Sequence, residues 1–157
     1  MKLEIIPYQS AGVIKLGMKK EEINSILKMG FRFSKSKYTN TSHDIYFNEN
    51  IKIEYNEFGS CITISISQPS QAIYKTHDLL NSNFGFIKSN ILDSGTQKIY
   101  SDGEMILLLE EGLAFWFEDE ISETSIPKVS TIYMRDTYEP YMSTFEILNI
   151  SPNSARL

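Results

Sequence analysis

The chain has 157 residues, 41% hydrophobic and 22% charged, with a formal net charge of −5, which suits one compact domain, 1–157, or two half-domains sharing a core, and excludes a disordered chain. A single cysteine, Cys61, excludes an internal disulfide framework. The opening Met-Lys-Leu-Glu-Ile-Ile-Pro is too short for a signal-peptide core and no stretch approaches a membrane span, so the expected location is cytoplasmic, with no membrane partner.

Leu3 to Ile6 reads as a short strand ended by Pro7. Gly12 to Gly17 then leads through a Gly17-Met18 corner into an amphipathic helix starting at Lys19. Ile23, Ile26 and Leu27, spaced i, i+3 and i+4, form its apolar stripe. Glu22 supplies half of a capping box, but Lys19 stands where Ser or Thr would complete it, so packing must fix the helix; Gly30 stops it. Phe31–Tyr38, His43–Asn48, Ile51–Asn56 and Cys61–Ser67 read as strands, with hairpin turns at Asn48-Glu49-Asn50 and Asn56-Glu57-Phe58-Gly59. Ile51, Ile53 and Tyr55 share one face with Ile62, Ile64 and Ile66, while Lys52, Glu54, Asn56, Thr63 and Ser65 take the other.

Gln68-Pro69-Ser70-Gln71 breaks the sheet, and the pattern restarts. Ala72 to Leu80 reads as a weaker helix, and Phe84–Ser89 echoes Phe31–Ser36. Gln97–Ser101, Glu104–Glu110, Leu113–Glu118 and Lys128–Met134 supply four more strands, with the largest insertion at Ile121–Pro127. Leu113, Phe115 and Phe117 repeat the spacing of Ile51, Ile53 and Tyr55. In the tail 135–157, either Ser143 with Glu146 opens a short helix or Phe145–Ile150 forms an edge strand, and Ser151 to Leu157 frays. The expected fold class is α+β: two tandem helix-plus-four-stranded antiparallel-sheet units, 12–67 and 71–134, able to join into one continuous curved sheet.

Charge is distributed unevenly. Residues 1–40 carry eight Lys or Arg against three Glu, whereas 99–127 carries none against Asp102, Glu104, Glu110, Glu111, Glu118, Asp119, Glu120 and Glu123. An acidic half disfavours nucleic acid and anionic membranes and attracts a basic protein, unless the carboxylates serve only as a solvated surface. On the face turned away from the helices, the repeat places Ala114, Trp116, Glu118, Thr131 and Tyr133, with Glu54, Thr63, Ser65 and Tyr46 from the first half. A Trp beside carboxylates on such a face is the anchor type that interfaces enrich; covered by helices or tail, it is plain core.

Motifs for chemistry are absent from the sequence. His43 and His77 are too few for a His-rich metal cluster, Cys61 begins an apolar strand as a small core residue, and no nucleophile elbow, phosphate loop or dinucleotide fingerprint occurs. The Glu110-Glu111 and Glu118–Glu120 groups alternate sides on exposed strand ends, a poor place to tune an acid/base pair. Neither an enzyme nor a cofactor or metal is expected.

The stretch Gly12–Leu27, through Gly17-Met18, Glu22-Ile23 and Ile26-Leu27, followed by paired strands, resembles the α/β units of β-lactamase-inhibitor-protein-like folds. The second unit, from Ala72, lacks the Gly-Met corner, so the resemblance covers the first half better. It implies two units whose joined sheet binds another protein. Secreted inhibitors of that fold carry a leader and disulfides; this acidic chain is expected to have neither and looks more like a bacterial immunity protein of the contact-dependent inhibition type. The expectation is a monomeric, cytosolic, non-enzymatic inhibitor that occludes a basic toxin domain, commonly a nuclease, through Glu104, Glu110, Glu111, Trp116, Glu118, Asp119, Glu120, Glu123 and Tyr133. The alternative is a small-ligand sensor or carrier using a cleft between the units, lined by Tyr46, Tyr100 and Phe115.

Overall fold

The computed structural model describes residues 1–27, 31–35, 40–91 and 98–148, with 31–35 and 148 described through their backbone. The helix stop expected at Gly30, the end of the strand expected over Phe31–Tyr38, Gln97 of the strand expected over Gln97–Ser101, the end of the strand expected over Phe145–Ile150 and the fraying expected over 151–157 lie outside them. The chain opens with β1 (Lys2–Ile6), ended by Pro7 as expected, and the narrow hairpin β2 (Ser10–Ala11) and β3 (Ile14–Lys15). The Gly17-Met18 corner is tied to a distant strand, since Gly17 N–H donates to Cys61 O and Cys61 N–H to Met18 O, both at 2.8 Å. Helix α1 (Lys20–Ile26) follows. Its cap is the half box that the sequence allows: Lys19 N–H donates to Glu22 Oε2 at 3.1 Å. The Lys19 ammonium, a donor only, turns away to Phe58 O and Ser60 Oγ. Ile23 and Leu27 are buried, but Ile26 is 37% exposed, because the short helix turns only an i, i+4 edge to the core.

The four strands expected after the helix form β4 (Phe31–Lys35), β5 (Ser42–Tyr46), β6 (Ile51–Tyr55) and β7 (Cys61–Ser67), an antiparallel meander. Ile51 pairs with Ile66 and Ile53 with Ile64, but Tyr55 pairs with Cys61. The register shifts beside Glu54 and Tyr55, leaving Ile62 outside the expected face. Asp44 and Tyr46 also point to the core, both fully buried, so Tyr46 is not on the outward face. Asp44 lies 3.3 Å from the Lys20 ammonium of α1, and the Tyr46 hydroxyl donates to Asn24 Oδ1 and lies 3.4 Å from Asp44 Oδ2. Helix and sheet are therefore joined by a buried polar cluster as well as by apolar packing.

The expected helix over Ala72–Leu80 is instead β8 (Gln71–Tyr74), β9 (His77–Asp78) and a 3-10 turn, Leu79–Asn81. Ala72 and Ile73 pair in parallel with Leu3 and Glu4, and this tertiary partner overrides a weak helical pattern. The strand-like echo Phe84–Ser89 is helix α2 (Phe84–Asn90), capped by Asn83, whose Oδ1 accepts from Phe86 N–H at 2.8 Å. Phe84, Ile87 and Ile91 bury one face of it. The remaining strands are β10 (Ile99–Ser101), β11 (Met105–Leu108), β12 (Leu113–Trp116) and β13 (Val129–Tyr133), a second antiparallel meander. Of the two readings of the tail, the edge strand holds: a 3-10 turn, Glu139–Thr144, leads into β14 (Glu146–Leu148), which pairs with β10.

Antiparallel pairing of β13 with β7 joins both meanders into one nine-stranded sheet, ordered β14-β10-β11-β12-β13-β7-β6-β5-β4. A five-stranded sheet, β3-β2-β1-β8-β9, supplies the second layer with α1 and α2. One core cluster lies between these layers, including Leu3, Ile23, Ile53, Ile64, Ile87, Phe115 and Ile132. The architecture is α+β and dominated by sheet. Among the described residues no helix is long and apolar enough to cross a membrane.

Two features yield predictions. The β8–β9 hairpin turns on Lys75 (φ 48°) and Thr76 (φ 68°), a loop geometry for which Asn-Gly is the favoured pair and a β-branched residue is strained. Thr76→Gly should therefore raise stability by ~0.5–1 kcal/mol, read by thermal unfolding, since relief of strain exceeds the entropy cost of glycine. Burial pushes the Cys61 thiol and the Tyr46 hydroxyl each up to about 12, and raises Tyr55 still further. The folded protein keeps protons that the unfolded chain releases at lower pH. This stability is complete below about pH 9 and is lost as pH rises toward 12. Tyr46→Phe should flatten the dependence of stability on pH between 10 and 12 by up to ~1.4 kcal/mol per pH unit, measured by urea denaturation.

Candidate functional site

Register defines the face turned away from α1 and α2. One row across it runs Ile147, Tyr100, Leu107, Ala114, Thr131, Ser65, Lys52, Ile45. Toward one strand end lies the row Met105, Trp116, Val129, Ser67; toward the other, Tyr133, Thr63, Glu54, His43. The segment after β13 returns over the second meander, where Tyr138, Met142 and Phe145 pack on Leu107, Ala114 and Tyr133. Tyr8 reaches the same cluster, its ring edge-on to Tyr133 at 5.5 Å. A Cβ on Gly112 (φ 64°) would meet that Tyr8 ring at 2.8 Å, so glycine is required there. Ala114 and Tyr133, expected on an open face, are consequently buried.

Trp116 escapes this cover and is 37% exposed. Two loops at the same strand end carry exposed carboxylates. Glu104 is in the β10–β11 turn, where its carbonyl accepts from Phe117 N–H at 2.9 Å. Asp102 holds that turn by accepting from Glu104 and Met105 N–H at 3.0 and 2.7 Å. Glu118, Asp119 and Glu120 directly follow β12 and its extension and are exposed. None of Glu104, Glu118, Asp119 or Glu120 forms an ion pair within the described residues.

The other expected contact residues separate from this group. Glu110 and Glu111 occupy the β11–β12 turn, at the opposite end of β12 from Trp116. Glu110 is exposed, but Glu111 is buried, accepting from the Tyr74 hydroxyl and lying 3.8 Å from the Lys75 ammonium. Glu123 pairs with Lys88 of α2, and its carbonyl accepts from Gly85 N–H at 2.8 Å. Sequence adjacency gathered all eight acids of 99–127; strand geometry divides them between a loop end, a core contact and a helix contact. The alternative cleft residues Tyr46 and Phe115 lie in the core, and Tyr100 packs beneath the returning segment.

Two cavities do open on this face. One, about 510 Å³, lies between the β6–β7 surface and 134–141, lined by Glu54, Thr63, Asp136, Tyr138 and Tyr141 among others. A neighbour of about 290 Å³ shares Arg135, Asp136 and Tyr138. The outward parity of Glu54 and Thr63 was legible in the sequence; the returning segment that roofs them was not. Among the described residues, no three His, Cys, Asp or Glu gather where they could hold a metal ion. Comparison with protein-family models, curated proteins and solved structures gave no match.

The division of the acids is testable. Glu111→Ala should cost ~2 kcal/mol, because it removes a buried carboxylate that accepts from the buried Tyr74 hydroxyl and lies beside the Lys75 ammonium. Glu118→Ala should change stability by no more than ~0.5 kcal/mol. Urea denaturation of the two variants checks the contrast.

Proposed function

We propose that this chain is a non-enzymatic, cytosolic immunity protein, made of two tandem α/β units, that neutralises a basic toxin domain by covering it. The observation that carries the reading is Trp116, exposed on the outward sheet face, with four exposed carboxylates, Glu104, Glu118, Asp119 and Glu120, in the loops at the same strand end and in no ion pair among the described residues. A rigid aromatic held by β-ladders on both sides loses little conformational freedom on binding and suits a central anchor. Carboxylates at its rim speed encounter with a positively charged partner and select against acidic ones. A nuclease domain, basic because it binds phosphate, has the complementary surface. Glu110 and Glu123 are peripheral in this arrangement, and Glu111 and Tyr133 are structural.

The tandem-unit part of the reading draws support from order. A helix and a four-stranded meander occur in sequence twice, as α1, β4–β7 within 12–67 and as α2, β10–β13 within 71–134, and the last strands of the two series pair with each other.

The test is capture followed by rescue. Tagged protein is used to capture partners from native lysate, including the products of adjacent genes, at low and high salt. The expected partner is a basic protein that arrests growth when expressed alone and is silenced by co-expression of this chain. Trp116→Ala should weaken that complex by about 30-fold or more. Joint Glu118→Lys, Asp119→Lys and Glu120→Lys substitution should slow association by at least about tenfold, with the effect shrinking in high salt. A complex indifferent to both variants overturns the site; absence of any captured toxic partner overturns the function.

A further inference from the structure

The 510 Å³ groove lies at the opposite strand end from Trp116, and its volume falls within the range of small-ligand sites, about 300–1,000 Å³. Its floor is the outer surface of β6 and β7, where Glu54 pairs in register with Thr63. Its roof is the returning segment, which contributes Asp136, Tyr138 and Tyr141. The site thus draws its two carboxylates from separate elements and sets two phenol rings beside them.

The lining selects for charge. Arg135 is the one cation among the described lining residues, and its guanidinium sits 4.0 Å from the centroid of the Tyr8 ring, on the side of the neighbouring cavity. Its charge is therefore directed onto an aromatic face, leaving Glu54 and Asp136 as the carboxylates of the groove. Tyr138 stays a neutral phenol, its pKa raised to about 12 by burial and by the charge of Glu54 nearby. Tyr141 is 49% exposed at the mouth. Carboxylates combined with aromatic faces form the kind of surroundings that bind organic cations, by direct charge pairing and by attraction to the ring faces.

We propose that the groove between β6–β7 and residues 134–141 binds an organic ammonium group. Glu54 and Asp136 pair with the charge, Thr63 lies on the floor beneath it, and Tyr138 and Tyr141 provide the aromatic walls. This inference is independent of the toxin-inhibitor reading, since it uses none of the residues around Trp116. The ammonium group can come from a free small amine or from a lysine side chain of another protein, and the two sources are distinguishable.

The experiment is an NMR titration of amide shifts in the full chain, at constant ionic strength. One arm uses butylammonium chloride and the other a short neutral-capped peptide with a single lysine, with sodium chloride as the control. The expected result is saturable shifts confined to Glu54, Thr63 and 134–141. Saturation with butylammonium at the lower concentration identifies a free amine as the source, and with the peptide a protein side chain. Glu54→Gln should weaken binding by about tenfold while preserving the spectrum elsewhere, and Asp136→Asn, which tolerates the same positive φ, should act in the same direction. Shifts that fail to saturate in both arms overturn the proposal. So does binding that neither substitution weakens.

Discussion

The antiparallel ladder between β7 and β13 is the constraint on which the rest of the molecule depends. It runs from Ser67 opposite Val129 to Thr63 opposite Tyr133, and Met134 N–H extends it with a 2.8 Å bond to Ile62 O. Without it each meander would present a bare strand edge, the kind of surface that pairs with other chains. With it, Ile64 and Ile132 meet on the core side, while the Ser65 and Thr131 hydroxyls bond at 2.8 Å on the other. A slip of one residue would reverse every side chain of one meander and turn Phe115 and Ile132 to water. The same register places Trp116 and Glu54 on a common face, although they come from different halves of the chain.

Much of that plan was legible in alternation. Every long strand of both meanders was readable because Ile51-x-Ile53-x-Tyr55 and Leu113-x-Phe115-x-Phe117 leave little choice of face. The failures share a cause. Ala72-Ile73-Tyr74 is a strand because β1 waits beside it in parallel, a partner 69 positions earlier along the chain that no local window contains. Phe84–Ser89 resembled Phe31–Ser36 in composition, yet Asn83 and the Phe84, Ile87, Ile91 spacing decide for helix. The bulge at Ile62 and the exposure of Ile26 are local adjustments of packing, beneath the resolution of periodicity.

The acidic residues show why a charge run is a weaker signal than a strand. Glu111 and Glu118 are the same side chain in the same acidic stretch, separated by β12. The first sits in a tight turn against Tyr74 and Lys75, part of the attachment of the five-stranded sheet to the nine-stranded one. The second follows the strand into a loop and is exposed. Glu123, five residues further, is drawn back to α2 by Lys88 and Gly85. Composition fixes the sign of the field over this half of the molecule, but only the turns decide which carboxylates are available to a partner.

The outer face is divided by what each half requires of its covering. In the first meander the outward positions Lys52, Glu54 and Ser65 are polar and do not demand burial, and residues 134–141 reach only the part of this surface at Glu54 and Thr63. In the second, Tyr100, Leu107, Ala114 and Tyr133 are largely apolar and would cost free energy if left wet, and the segment after β13 folds back to bury them. Trp116 belongs by parity to the face so covered, and it contributes more apolar surface than Ala114, yet the roof stops short of it. The chain thus supplies an apolar lid for the smaller residues of this face and leaves its one tryptophan partly exposed. That arrangement favours the monomer less than full coverage would, and the proposed function assigns the missing cover to a second protein.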